Sequence, residues 1–329
     1  MTIGVIGGGS WGTALAMHLG RAGSSVQLWA REPEVVDGIR REGRNPWYLS
    51  DVPMPPGIRA TGDLAEAVAG VETLVIAVPS EFVARTLRAI ERMPAGADVV
   101  SATKGFDPDR HVRMTELVAE RFPGVAVAAL SGPTFAREVA AGQPTAAVVA
   151  SADEALAERV QRRLGTREFR LYTNRDVVGV ETGGALKNVI AIATGLADGL
   201  DLGQNARAAL VTRGLAEITR LAGALGGHAG TLAGLAGLGD LVLTCTGTLS
   251  RNHTLGMELA KGGTLAAFEG GTRMIAEGVR TARSADALAA RHAVSLPITR
   301  EVAAVLFEGK PAREALASLL DRPAAREDR

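Results

Sequence analysis

The sequence predicts an α/β protein in two parts: a doubly wound parallel sheet over the N-terminal half and an all-helical C-terminal half. Three observations carry this. Short, near-continuous apolar runs alternate with helical stretches through the first half, the pattern of parallel strands covered on both faces. The first of these runs leads directly into a glycine turn, Gly7-Gly8-Gly9-Ser10-Trp11-Gly12. From about Asp176 onward the strand-like runs stop and long Ala/Leu/Gly-rich stretches take over.

The first run, residues 2–6, passes through that turn into a helix start. Gly7, Gly9 and Gly12 therefore stand in the G-x-G-x-x-G register of a dinucleotide fingerprint, strand before and helix after. In that register Gly7 permits the tight turn, Gly9 lets the backbone approach a pyrophosphate, and Gly12 lets helix and strand pack closely. The helix N-terminus then receives the phosphates. A purely structural turn does not account for three glycines so spaced. Further strand runs fall at 25–29, 73–78, 98–101, 125–130, 145–150 and 168–172, with helical stretches at 81–92, 111–121 and 153–164. Right-handed crossovers make this a Rossmann-type sheet. The second half offers helical stretches at 177–199, 205–225, 250–261, 285–293, 298–308 and 311–320. The expected division is a dinucleotide-binding domain over 1–177, a helical substrate domain over 178–321 and a polar tail over 322–329.

Composition narrows the function. Thirty-six Lys+Arg balance 36 Asp+Glu, so no overall field favours nucleic acid. One cysteine, Cys245, permits no internal disulfide framework and fits a reducing compartment. Five scattered histidines show no metal-ligand spacing, so no metal is expected. The chain opens on a strand rather than a leader, and no apolar stretch has the length of a membrane span. The cytoplasm is the expected location.

The end of the second strand bears on the cofactor. A carboxylate there would bind a ribose 2′-hydroxyl, and an arginine a 2′-phosphate. The chain reads Trp29-Ala30-Arg31-Glu32, which favours NADP(H), while Glu32 keeps NAD(H) open. Two later strand ends run into Lys104-Gly105 and Ser131-Gly132-Pro133-Thr134-Phe135-Ala136, placing Lys104 and Thr134 at the edge where ligands of such sheets bind.

The sharpest signal in the second half is Lys187. Between Thr182 and Asp198 only Lys187 and Asn188 are strongly polar, so the helix is apolar nearly all round and reads as buried. Lysine is almost never buried unless paired, and a buried lysine of lowered pKa can act as acid or base. Asp240, alone in a Gly/Leu stretch, could orient it or hold a substrate hydroxyl. Thr248-Leu249-Ser250-Arg251-Asn252-His253 gathers donors at a helix start, suited to a phosphate. Ser250 is also a good N-cap.

Taken together these segments resemble the bacterial NAD(P)-dependent sn-glycerol-3-phosphate dehydrogenases. The likeness runs in order through 7–16, Asn45-Pro46-Trp47-Tyr48-Leu49, Lys104-Gly105, 131–136, Glu181-Thr182-Gly183-Gly184-Ala185-Leu186-Lys187-Asn188, Gly237-Leu238-Gly239-Asp240-Leu241, 248–252 and Ala276-Glu277-Gly278-Val279. Ser50 is a small departure, where that family usually has proline. The resemblance implies a helical domain like that of 6-phosphogluconate dehydrogenase, and reduction of dihydroxyacetone phosphate to sn-glycerol 3-phosphate for phospholipid synthesis. It implies Lys187 as proton donor and acceptor. Lys104, Gly132, Thr134, Asp240, Ser250, Arg251 and Asn252 match substrate-contacting positions. Ser10, Trp11, Arg31, Lys104, Ala136, Arg251, Ile275 and Glu277 match cofactor-contacting positions beside the glycines. It also implies a homodimer. A hydroxy-acid dehydrogenase of the same architecture and a nucleotide-sensing module are the rival readings; the latter would need neither Lys187 nor Asp240.

Overall fold

The computed structural model describes residues 1–271 and 275–323. Most of the expected polar tail, residues 324–329, lies outside the described residues. Within them the strands are β1 Thr2–Ile6, β2 Ser25–Trp29, β3 Ile58–Thr61, β4 Thr73–Ile76, β5 Asp98–Ser101, β6 Val127–Ser131, β7 Thr145–Ala150 and β8 Phe169–Asn174. They form one sheet in the order β3-β2-β1-β4-β5-β6-β7-β8. The order reverses at β1, which starts both halves of the winding and puts a crevice beyond its carboxyl end.

The sheet is buried on both faces. Ile3, Val5, Val26 and Leu28 pack with Leu15, Met17 and Leu19 of the first helix, Ser10–Arg21. Ile6, Leu74, Ile76 and Val99 point the other way and pack with Val83 and Leu87 of helix Ser80–Ala89 and Leu117 and Val118 of helix Met114–Arg121. That two-sided burial is why the strands read as continuous apolar runs.

The doubly wound architecture stands, with one departure: β6 and β7 pair antiparallel. A parallel return needs a crossover of a dozen or more residues, usually a full helix. Here the connection, residues 132–144, is long enough in sequence but holds only the five-residue helix Ala136–Ala140, short of the full helix such a return usually takes. β3 was not expected, because its four residues include exposed Arg59 and it lies at the sheet edge.

The second half is built around one helix, Val177–Gly199, whose residues from Gly179 to Ala197 are all buried. It packs against helix Arg251–Ala260 almost backbone to backbone. A Cβ on Gly195 would lie 2.1 Å from the His253 carbonyl oxygen, and one on Gly256 would lie 2.2 Å from that of Ile192. At its start the same helix meets the sheet, since a Cβ on Gly184 would lie 2.4 Å from Ser131 Oγ. The Gly/Ala-rich composition of this stretch thus brings Lys187 against strand ends. Helix Glu277–Arg291 begins eight residues before the expected stretch at 285, because Asn252 Oδ1 accepts from the Gly278 N–H at 2.9 Å and caps it there.

Candidate active site

The glycine turn has the geometry its register predicts. Gly7 sits at φ +128°, and a Cβ there would lie 2.7 Å from the Ala77 carbonyl oxygen. A Cβ on Gly12 would lie 1.9 Å from the Gly7 oxygen. Around Gly9 a Cβ would meet nothing within 4 Å, so its backbone faces open space at the helix N-terminus. Asn45 locks the next loop onto this turn: its Nδ2 donates to the Gly8 oxygen at 2.9 Å and to Thr13 Oγ1 at 2.8 Å, while its Oδ1 accepts from the Trp47 and Tyr48 N–H groups. Trp11 Nε1 donates to the Ala102 oxygen at 3.0 Å, across the mouth of the sheet.

A cleft of about 580 Å³ runs from this turn across the carboxyl edge of the sheet to the helical half. Gly7, Gly9, Ser10, Trp11, Arg31, Lys104, Thr134, Ala136, Lys187, Ser250, Arg251, Asn252, Ile275 and Glu277 all line it. Gly12, Gly132 and Asp240 do not. Gly12 serves the strand–helix contact behind the turn, and the other two stand behind the lysines. The open face at Gly9 and the helix N-terminus beside it fit a dinucleotide pyrophosphate.

Asp240 organises the centre. Lys187 Nζ donates to Asp240 Oδ1 at 2.5 Å and to Thr244 Oγ1 at 2.8 Å. Lys104 Nζ donates to Asp240 Oδ2 at 2.7 Å, to the Gly132 oxygen at 2.8 Å and to Thr134 Oγ1 at 3.2 Å. Asp240 is fully buried and Lys187 is 6% exposed. One carboxylate between two ammonium groups leaves net positive charge, an environment for an oxyanion. Burial brings the Lys187 amine down to about 8; Asp240 resists this and Lys104 adds to it.

At the start of helix Arg251–Ala260, Ser250 caps by accepting from the His253 N–H at 3.3 Å. Asn252 donates to Asn188 Oδ1 and accepts from Gly278, so its side chain ties three helices together. The Arg251 guanidinium, its pKa lowered by burial, is left to face the cleft with the first-turn N–H groups that helix geometry cannot pair. Glu277 reaches across to the sheet half, where its carboxylate accepts from Ser80 Oγ at 2.8 Å and the Ser80 N–H at 3.3 Å. Burial outweighs those bonds and lifts its carboxyl to about 7.

Sequence reading missed Thr244, Asn188, Asn45 and Ser80 as parts of this site. Thr244 carried a signal, one helical turn after Asp240. Ser80 carried one too, at a strand end that faces the crevice, but nothing local pointed to its partner 197 residues away.

A family model described as the N-terminus of NAD-dependent glycerol-3-phosphate dehydrogenase matches residues 2–157, and its C-terminal counterpart matches residues 176–317. A protein from Koribacter versatilis named glycerol-3-phosphate dehydrogenase, NAD(P)+, is 52% identical over 99% of this chain and 98% of its own length. One of the same name from Rhodospirillum rubrum is 51% identical over 98% of this chain and 92% of its own. The crystal structure of glycerol-3-phosphate dehydrogenase from Coxiella burnetii superposes with a TM-score of 0.94 at 41% identity, covering 98% of this chain and 99% of that one. A ketopantoate reductase from Ralstonia eutropha reaches a TM-score of 0.63 at 16% identity over 97% of this chain and all of its own, a likeness of fold alone.

Proposed function

The chain belongs to the NAD-dependent glycerol-3-phosphate dehydrogenase family, and from that premise we propose how its own residues carry the interconversion of dihydroxyacetone phosphate and sn-glycerol 3-phosphate. The observation that carries the reading is the buried Lys187–Asp240–Lys104 bridge at the end of the dinucleotide cradle. A bound nicotinamide would supply the hydride that C2 gains in reduction and take up the hydride that C2 loses in oxidation. In reduction, protonated Lys187 polarises the C2 carbonyl oxygen and gives it a proton. In oxidation, neutral Lys187 takes the C2 hydroxyl proton. An amine near pH 8 is available in both forms around working pH. Asp240 and Thr244 hold the amine in place, and Lys104, steadied by Gly132 and Thr134, adds charge for the developing oxyanion.

Arg251 and the N-terminus of its helix, shaped by Ser250 and Asn252, anchor the substrate phosphate. Remote binding energy then fixes C2 at the reacting position. Gly7, Gly9, Ser10, Trp11 and Gly12 form the cradle that would hold the pyrophosphate. Arg31, Lys104, Ala136, Arg251, Ile275 and Glu277 complete the cofactor wall. NADP(H) is the favoured cofactor, because Trp29 and Ala30 offer no carboxylate for a ribose 2′-hydroxyl and arginine follows them. The same reading divides the chain at 177/178. Family resemblance alone supports a homodimer and a cytoplasmic location. Among the described residues no helix is long and apolar enough to cross a membrane.

A substrate comparison following NADPH oxidation tests this. Dihydroxyacetone phosphate should be turned over far more efficiently than unphosphorylated dihydroxyacetone or a 2-keto acid. Equal use of the unphosphorylated ketone would remove the phosphate anchor from the account.

A further inference from the structure

The end of the cleft near the β2 terminus carries a cation that the reaction as argued does not use. Arg31 lines the wall there, but its guanidinium is already bonded to Glu32, with Nη2 2.6 Å and Nε 3.0 Å from the same oxygen. Arg85, on helix Ser80–Ala89, lines the same cleft. Its guanidinium lies 5.1 Å from the centre of the Phe82 ring, and that of Arg31 lies 5.5 Å from the centre of the same ring. Both cations therefore converge on one part of the wall.

They differ in what already holds them. The residue one turn before Arg85 is Glu81, which would ordinarily pair with it. Glu81 Oε2 instead accepts from Arg280 Nε of the helical half at 3.2 Å. One turn after Arg85 stands Ala89. Among the described residues no carboxylate pairs with Arg85; the Phe82 ring is what steadies it. A guanidinium so placed can meet a phosphate dianion bidentately without first losing a partner. Arg31 would have to leave Glu32 or share it.

We propose that Arg85, backed by Phe82, is the residue that reads the 2′-phosphate of the cofactor, with Arg31 secondary because Glu32 already neutralises it. The inference rests on the reading that this chain favours NADP(H). It also assigns Glu81 and Arg280 a positioning part, since their pairing keeps Arg85 uncommitted.

Calorimetric titration with 2′,5′-ADP and with 5′-AMP separates the two layers, because neither ligand turns over. Wild type should bind 2′,5′-ADP the more tightly, and equal affinities would overturn the NADP(H) reading itself. Arg85→Ala should weaken 2′,5′-ADP about tenfold or more, the size of a hydrogen bond to a charged group, with a much smaller effect on 5′-AMP. Arg31→Ala should weaken it less, and Arg85→Lys should recover part of the loss. In steady state the NADPH-to-NADH ratio of kcat/KM should fall in the same order. A wild type that discriminates while Arg85→Ala binds 2′,5′-ADP normally, or loses both ligands equally, overturns the Arg85 assignment and leaves the NADP(H) reading in place.

Discussion

In the proposed mechanism Lys187 is both acid and base, and its pKa then sets a testable pH dependence. Burial moves the amine from 10.5 to about 8, so the folded protein gives up this proton more readily than the unfolded chain does. Reduction needs the ammonium form. Its kcat should be flat below pH 8 and fall tenfold per unit well above it. Oxidation needs the free amine and should rise through the same pH. Rate–pH profiles in both directions check the sign; parallel slopes would show that another group titrates. The same shift makes Lys187 a net stability cost below about pH 8, relieved as pH rises towards 10.5. Arg251 is testable at the same scale. Arg251→Ala should raise KM for dihydroxyacetone phosphate strongly and matter little for unphosphorylated dihydroxyacetone, because the proposed charge-assisted contact to the dianion would be lost. Steady-state kinetics on the two ketones read this directly.

Among the elements, the Val177–Gly199 helix carries most of the consequence, because it is both core and the bearer of Lys187. Its contact with Arg251–Ala260 leaves no room for side chains at Gly195 and Gly256. Gly256→Val should therefore destabilise the fold by about 3 kcal/mol or more, at the upper end of overpacking costs, measured by denaturant unfolding. Elements of this kind were legible in the sequence, since a helix without a polar face declares its burial. The central strands were legible for the same reason. The antiparallel β6–β7 pair was not, because pairing direction depends on what the connecting loop must do rather than on the strands themselves. β3 and the start of helix Glu277–Arg291 escaped notice because a neighbouring strand and the Asn252 side chain fix them, and neither is adjacent in sequence.

The whole molecule brings a glycine-turn cradle from one half and a buried amine from the other to one cleft, and neither half holds both. The halves are tied by polar contacts with one partner from each. Glu277 meets Ser80, and Glu181 accepts from the Thr115 N–H at 3.0 Å and from the Thr115 hydroxyl at 2.5 Å. Burial raises the Glu181 carboxyl, so ionising it costs the fold what those bonds must offset. Glu181→Ala should loosen the seat of the lysine helix, lowering stability and kcat together, whereas Glu181→Gln should retain part of both. Thermal unfolding and turnover on the two variants check this. Individual chemical groups at the site were readable from sequence, as Lys187 and Asp240 were by contrast with their apolar surroundings. Their pairing across the fold, including Lys104 on the far side of Asp240, was not, because no local pattern encodes a contact 136 residues apart. The central claim is that Lys187 is the acid and base of this reaction. The most direct test is the turnover number of Lys187→Ala with saturating NADPH and dihydroxyacetone phosphate, cofactor binding being followed by fluorescence. The account predicts a fall of about 10² to 10⁴ with NADPH still bound; a near-normal kcat would make Lys187 a structural residue and contradict it.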